Sequence, residues 1–341
     1  MKILTINIAA YNAERYISKC LDSLIKCNDL DLLDIAVVND GSTDRTSELA
    51  HQYEKNYPNS IRVIDKEDNG YGSTINIGIK TAKGKYFKTL DSDDYFNTDV
   101  FNEFVNNLKQ CECDLVLNDY VIRNPDYNVI ESKRCLKDSE LYNHVLNFEN
   151  NLSKTNITMH CITYKTSILK KMIEKIDENC FYVDVEYNTY PLKYVNNFVS
   201  FCLPVYSYIV GYSNQSVSTK SFIKNRKQHE KVVYSLVNYY EQNKDTMNTQ
   251  LREITKYIVS SLAITQYWIY FVCNPSAEIK AEIINFDCCL KHNSLEIYSD
   301  MIKYGNGQKR AKIIPILRVI SFHGYVLLFK IIHKFNVISI T

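Results

Sequence analysis

The stretches of this chain with chemistry to offer are short, and most are acidic. Leu90-Asp91-Ser92-Asp93-Asp94 closes an apolar run that begins at Tyr86. Carboxylates one residue apart at the end of a strand can face one point. Their hard oxygens suit Mg²⁺ or Mn²⁺, and a diphosphate supplies the remaining ligands. An ion held there acts as a Lewis acid on a departing nucleotide diphosphate. The plainer alternative is an acidic turn capping a helix that starts near Thr98. In Val37-Val38-Asn39-Asp40-Gly41-Ser42-Thr43-Asp44, a strand-end aspartate can bond a base or ribose while glycine lets the backbone approach the ligand. Its alternative is an Asx turn before a helix capped by Ser42 or Thr43. Phe181-Tyr182-Val183-Asp184-Val185-Glu186-Tyr187 sets two acids among aromatics, where desolvation raises a carboxylate toward the range of a general base. Its alternative is an edge strand or helix start with both acids in water.

Two further features need weighing. Asp68-Asn69-Gly70-Tyr71-Gly72-Ser73 is a glycine turn feeding a helix, with Asp91 ~20 residues on, as in a dinucleotide fingerprint. The third glycine position holds Ile75, however, and the motif falls in the third strand–helix unit, so nicotinamide binding is set aside. His160, between Met159 and Cys161, can line an acceptor cleft or serve as a structural histidine.

The elements that must position these residues are legible as a pattern. Apolar runs at Lys2 to Ile8, Ile35 to Val38, Ile61 to Ile64 and Tyr86 to Leu90 predict strands. Between them, Glu14 to Ile25 places Ile17, Leu21, Leu24 and Ile25 on one helical face, and Ser73 to Ala82 follows the glycine turn. Strand and helix alternating at this spacing imply βαβ units and a mostly parallel sheet, whose ligands bind beyond the strand C-termini. Asn12, Asp40 and Asp91 stand at those ends. From about Phe222 the periodicity becomes helical, over Lys224 to Asn243, Thr249 to Cys273 and Ala277 to Tyr304.

Bulk properties narrow the classes. The chain has 341 residues, 45% hydrophobic and 23% charged, which is ordinary for a globular protein. That length fits an α/β domain of ~200 residues plus something smaller. A net charge of +1 gives no field that favours nucleic acid, so no such partner is expected. No signal-peptide pattern opens the chain, and the eleven irregularly spaced cysteines are expected to be thiols in a reducing cytoplasm. Cys111-Glu112-Cys113 and Cys288-Cys289 lack zinc-ligand spacing. After Asp300 there is no acidic residue, while Lys309, Arg310, Lys312, Arg318, Lys330 and Lys334 follow. The apolar run Ile313 to Phe329, broken by Pro315, Arg318 and His323, does not span a bilayer. It predicts an interfacial segment, over 309–334, on the cytoplasmic face of the membrane, or else ordinary core helices.

Taken jointly, Ala9-Ala10-Tyr11-Asn12, Val38 to Asp44, Asn76-Ile77-Gly78 and Leu90 to Asp94 resemble, in order and spacing, the large family-two glycosyltransferases of GT-A fold. The resemblance covers roughly residues 1 to 215. It implies an α/β nucleotide-diphospho-sugar transferase fold for a catalytic domain at 1–220, while the helical periodicity and the run of cations beyond it give a helical domain at 221–304 and a basic amphipathic segment at 305–341. It implies inverting transfer of a hexosyl or N-acetylhexosaminyl group from a nucleotide sugar, usually a uridine diphosphate sugar, to a hydroxyl of a glycan or lipid-linked acceptor. A divalent metal, Mn²⁺ or Mg²⁺, is expected as cofactor.

Carried over by position, Ala10, Tyr11 and Asn12 contact the nucleotide. Asp40 binds the base beside Gly41, and Asn69, Gly70 and Asn76 lie along the donor. Asp91 and Ser92 stand near ribose and sugar, Asp93 ligates the metal, and Asp184 is the base. His160, Tyr182, Glu186 and Gln215 are further donor or acceptor contacts. Tyr206-Ser207-Tyr208 through Gln215-Ser216 resembles the loop that closes over the diphosphate. The chain departs from the pattern where Thr74-Ile75 replaces Ala-Arg before Asn76, where Val183 replaces a glutamate before Asp184, and where Val210 and Gly211 stand in place of a histidine. A non-catalytic sugar-nucleotide-binding or scaffold member is the competing class, kept open by Val183. A nucleotidyltransferase should carry a Gly-rich basic loop after the first strand, and Ala10 to Ala13 has none.

Overall fold

The computed structural model describes residues 1–212, 215, 217–304 and 309–334. Two compact units divide the chain, Met1–Tyr212 and a second from Ser213 onward. The first is built on one sheet of ten strands: β1 (Leu4–Ala10), β2 (Leu33–Asp40), β3 (Ile61–Lys66), β4 (Tyr86–Asp91), β5 (Tyr95–Phe96), β6 (Leu115–Arg123), β7 (Val129–Lys133), β8 (Leu146–Asn147), β9 (Ile162–Lys165) and β10 (Asn197–Ile209). Its main order is β3-β2-β1-β4-β9-β6-β10-β5, with β7 on β6 and β8 on β10. The strands β3, β2, β1 and β4 are parallel, as their alternation with helices requires. Beyond β4 the sheet is mixed. The short β9 runs antiparallel to both β4 and β6, while β6 and β10 are parallel. No apolar run longer than a few residues announces β5, β8 or β9, so only their neighbours define them.

β2 is buried along its whole length, as a central strand covered on both faces should be. Near its start it carries a buried charge, Asp34. Arg62 reaches it with two nitrogens, at 2.7 and 3.2 Å, and the Thr5 hydroxyl and the Lys83 N–H add bonds of 2.8 and 3.1 Å. These contacts tie β1, β2 and β3 to the end of the helix Tyr71–Thr81. That helix crosses β1 so closely at Gly78 that a Cβ there would lie 2.0 Å from Asn7 Oδ1.

Several element boundaries differ from the sequence reading, each for a local reason. The first helix begins at Ile17 instead of Glu14, because the N–H groups of Ala13 and Glu14 are bonded to Thr46 Oγ1 and Asp44 Oδ2 across a loop. Its buried face uses Cys20 where Ile25 was expected. Neither Ser42 nor Thr43 caps the next helix, which starts at Thr46 with Asp44 accepting the Thr46 N–H.

The second unit is helical throughout its described residues. It comprises Thr219–Lys224, Arg226–Asn243, Thr249–Val272, Ala277–Asn293, Leu295–Tyr304, Ile313–Val319 and Tyr325–Lys334, with a 3-10 turn at Lys309–Lys312. The helix expected over Ala277 to Tyr304 is two helices. Ser294 adopts an extended backbone and turns its hydroxyl to the Ile297 N–H at 3.1 Å, which starts the second. Around the long helix Thr249–Val272, Tyr267 packs on Phe286 and stacks on Phe322.

Burial alone raises the Asp34 carboxyl, but the bonds from Arg62, Thr5 and the Lys83 backbone outweigh it and hold the group below the usual carboxylate range. A folded pKa below the unfolded value gives stability that is present above about pH 4 and lost as pH falls through the folded value. Asp34→Asn is therefore expected to lose about 3 kcal/mol of unfolding free energy at pH 7. The gap to the native chain should narrow in acid. Urea titrations at both pH values check the magnitude and the sign.

Candidate functional site

The parallel strands deliver their C-terminal ends to one edge. In register, Ala9 of β1 lies beside Val38 of β2 and Asp91 of β4, so Ala10, Asp40 and Asp91 emerge within a residue or two of one level. Because β2 and β4 flank β1, the backbones carrying Asp40 and Asp91 stand about 10 Å apart, two strand spacings. On that edge Asn12 adopts a left-handed backbone, φ +48°, which Asn tolerates better than most residues. Its Oδ1 accepts the Thr43 N–H at 2.9 Å and its own N–H bonds Ser42 Oγ at 3.0 Å. The loops after β1 and β2 are thereby joined, and Tyr11 between them is exposed.

Asp40 is buried. It pairs with Lys66 and accepts the Asn69 N–H at 3.0 Å. Gly41 is left-handed at φ +70°, with Asp68 so close that a Cβ would lie 2.7 Å from its nitrogen. The turn after β2 is thus pressed against the turn after β3.

The acidic turn is the densest charge on the edge. Asp91, Asp93 and Asp94 each bring a carboxylate oxygen to within 4.8 Å of the others. Tyr71 donates its hydroxyl to Asp91 at 2.8 Å. Burial raises Asp91, the charges of Asp93 and Asp184 raise it further, Tyr71 pulls it back, and the result is pushed up to about 7. Asp94 is held differently. It accepts the Tyr206 hydroxyl at 2.8 Å and the Ile209 N–H at 2.7 Å, while the Asp91 N–H reaches Tyr206 Oη at 3.2 Å. Asp94 therefore fastens the end of β10 to the end of β4, and burial with its two acidic neighbours lifts its pKa. Ser92 is buried within the same turn. The helix Thr98–Gln110 has no side-chain cap, so helix capping does not explain these acids.

The segment Phe181 to Tyr187 is a helix start, not an edge strand. Tyr182 is left-handed at φ +69°, and Asp184 opens the helix Asp184–Thr189. A tyrosine in that backbone region is uncommon, and such residues concentrate at functional sites. Asp184 is raised by burial, and its charge is felt at Asp91. Glu186 turns inward instead. It is fully buried and accepts the Asp177 N–H at 2.7 Å.

Asn69, Gly70 and Asn76, expected along the donor, serve this segment. The Asn179 N–H bonds the Asn69 carbonyl at 2.6 Å, and Gly70 lies against Asn179. Asn76 bonds the carbonyl and the N–H of Ile176, at 2.9 and 3.2 Å, and also Glu178. Their side-chain and backbone groups hold the strand-to-helix turn against the stretch that leads to Asp184.

His160 stands behind the acidic turn. Its ring lies over Tyr120 and Tyr208, with centroids 5.0 and 4.3 Å away, and edge-on to Tyr206. Burial, then the charge of Lys88, push it down to about 3, so it is neutral at ordinary pH. Lys88 itself was missed by the sequence reading, although a lysine inside the run Tyr86 to Leu90 was its signal. Fully buried, it donates to Asn118 Oδ1 and to the carbonyls of His160 and Ile162, at 2.9, 3.1 and 3.0 Å. Desolvation lowers it to about 7. Tyr206 and Tyr208, expected in a closing loop, lie in β10. Gln215 belongs to the second unit, and Ser213, Asn214 and Ser216 lie outside the described residues.

The last two acids of the turn should separate in stability measurements. Asp94→Ala leaves the Ile209 N–H and the Tyr206 hydroxyl without their acceptor in a buried place, and should cost about 2 kcal/mol. Asp93→Asn relieves like-charge crowding, and should leave the unfolding free energy within about 0.5 kcal/mol of the native value or raise it. Urea unfolding in the presence of a chelator measures both.

Against known proteins, the family model described as Glycosyl transferase family 2 matches residues 5–177, just over half of the chain. An uncharacterised glycosyltransferase of Bacillus subtilis, EpsJ, is 37% identical over 114 residues, which are 33% of this chain and 33% of EpsJ. The teichoic acid poly(glycerol phosphate) polymerase of Staphylococcus epidermidis is 30% identical over 210 residues, 60% of this chain and 28% of the polymerase. The matches thus span a third or less of these relatives. Among solved structures, S. aureus TarS 1-349 in complex with UDP-GlcNAc superposes with a TM-score of 0.66 over 97% of this chain and 92% of that one, at 16% identity, a likeness of fold. The strand-end motifs and the family model agree over the same residues, and the chain belongs to glycosyl transferase family 2.

Proposed function

We propose that this protein is an inverting glycosyltransferase that moves a sugar from a nucleoside diphosphate donor, a uridine diphosphate sugar, to a hydroxyl of a glycan or lipid-linked acceptor. The observation that carries the reading is the convergence of Asp91, Asp93 and Asp94 at the C-terminal edge of the parallel strands, with the raised carboxyl of Asp184 near enough to be felt at Asp91. Family membership and the UDP-GlcNAc held by TarS support the donor class.

The donor set fits a divalent ion. Three carboxylates offer hard oxygens within 4.8 Å, and a cation would relieve the repulsion that lifts Asp91. Asp93 would hold Mn²⁺ or Mg²⁺, with Asp91 beside it and Asp94 already engaged by β10. An ion bound there supplies neutralisation of the charge that develops on the departing diphosphate.

The protein's own groups do the rest. The loops after β1 and β2, from Ala10 to Asn12 and from Asp40 to Gly41, receive the nucleotide, with the base on the Asp40 side. The separation of about 10 Å between the Asp40 and Asp91 strands suits a base at one end and the sugar at the other. Asp184 takes the proton from the acceptor hydroxyl, and desolvation, which raises its affinity for that proton, suits the task. The hydroxyl attacks the anomeric carbon in line with the leaving group, and the configuration inverts. Tyr182 offers a flat surface to a sugar ring, while His160, its own ring set among Tyr120, Tyr206 and Tyr208, packs against those tyrosines.

The test is donor turnover over a panel of nucleotide sugars with Mn²⁺, alongside calorimetric titration with UDP. Asp93→Asn should abolish turnover while the chain stays folded, and near-native turnover in Mn²⁺ would reject the ligand assignment. Asp184→Asn should lower turnover by ~10²-fold or more with donor affinity nearly unchanged. Glu186→Gln keeps an acceptor for the Asp177 N–H and should have the smaller effect, and a reversed ranking would exchange the roles of the two acids.

A further inference from the structure

The last two helices of the second unit are apolar on both sides. Their inner faces are packed: Ile314, Leu317, Phe322, Tyr325, Leu328 and Ile332 are buried, and the Tyr325 hydroxyl bonds the Ser276 carbonyl at 2.8 Å. Their outer faces are apolar again. Val319 is 85% exposed, Leu327 64% and Ile316 63%, and Ile331 and Ile320 are exposed beside them. The positions 316, 319 and 320 share one side of the helix Ile313–Val319, and 327 and 331 share one side of Tyr325–Lys334. Packing accounts for the inner stripe only. Large aliphatic side chains left exposed on the outer face of each helix mark a surface that meets another apolar phase.

The charges around the stripe say which phase. Lys312 and Lys330 are exposed at its margins, and no acidic residue occurs after Asp300. The cation of Arg318, expected to join them, is withdrawn. It pairs with Asp287 at 2.7 Å and lies 3.6 Å over the ring of Tyr298. The remaining surface combines aliphatic side chains with lysines and carries no opposing carboxylate of its own. No helix among the described residues is long and apolar enough to cross a membrane, so the contact lies in the plane of the interface.

We infer that the outer face of residues 313–332 docks onto an anionic lipid bilayer, with Ile316, Val319, Leu327 and Ile331 entering the acyl boundary and Lys312 and Lys330 meeting the headgroups. The lysine stems can lie along the apolar surface while their ammonium groups stay in water. This inference does not depend on the transferase reading, and its test measures no turnover.

The full chain is sedimented with vesicles of phosphatidylcholine alone or mixed with phosphatidylglycerol. Binding to the mixed vesicles is expected, and it should weaken as salt rises. Leu327→Glu/Ile331→Glu should reduce binding by about tenfold or more. Lys312→Gln/Lys330→Gln should reduce it about fivefold per cation on mixed vesicles and leave neutral vesicles unaffected. Ile173→Glu, a change at an exposed apolar residue of the first unit, should bind as the native chain does. Circular dichroism verifies folding, and Val319→Glu replaces the double variant if that fails to fold. Unchanged sedimentation of the glutamate variants would overturn the inference. So would equal binding to neutral and anionic vesicles, or a lipid-free dimer that Leu327→Glu dissociates, which would make a second copy the occupant.

Discussion

Holding three carboxylates within 4.8 Å of one another is unfavourable, and much of the first unit is arranged to make it possible. Burial, and then the like charges at that spacing, raise the carboxyls of Asp91 and Asp94. The backbone cannot relax the repulsion by spreading the turn. Asp91 is the last residue of a strand locked in parallel register with β1, and Asp94 is fastened to β10 through Tyr206 and Ile209. Tyr71 supplies a hydrogen bond to the anion from the other side. The cluster is therefore held together by contacts from β4, β10 and Tyr71.

A second rigid layer lies beneath. Lys88 points into the sheet, where all three of its bonded partners are uncharged oxygens, on Asn118, His160 and Ile162. Two of those partners are backbone carbonyls just before and within β9, so the lysine fixes the path of the chain through His160. The ring of His160 is then trapped among Tyr120, Tyr206 and Tyr208, and Tyr206 is the residue that holds Asp94. The acid, aromatic and cation groups are thus joined in one chain of contacts through His160 and Tyr206.

The segment bearing Asp184 depends on a different clasp. Its approach, from Ile176 to Cys180, is held by Asn69, Gly70 and Asn76, while Glu186 ties the helix start to Asp177 from within. Two acids two residues apart in one helix thus have different surroundings. Glu186 is fully buried in a structural bond, and Asp184 is left at the head of the helix with Tyr182 strained beside it.

Patterns local in sequence were sufficient for the parallel strands β1 to β4, the helices between them and the strand-end acids, but not for β6 and β10. A buried parallel strand must be a short apolar run, and a ligand edge must lie at its end. The pairing of β9 between β4 and β6 was not legible, because four residues of ordinary composition are given their place by the strands on either side. Asn69, Gly70 and Asn76 also have protein contacts that the sequence did not announce, since a glycine turn before a helix has one appearance whether it approaches a phosphate or another backbone. Only the tertiary structure brings Ile176 and Asn179 to them. As residue types, Asp184 and Glu186, two positions apart, were alike, and only the family resemblance set Asp184 ahead. Burial, a property of the surroundings, separates them. In the C-terminal helices the sequence announced more apolar side chains than a single stripe, and the fold decides which face is packed, which is left exposed, and that Arg318 is drawn inward by Asp287. Composition and periodicity fix what a segment can bury, but which partner it meets is settled by contacts distant along the chain.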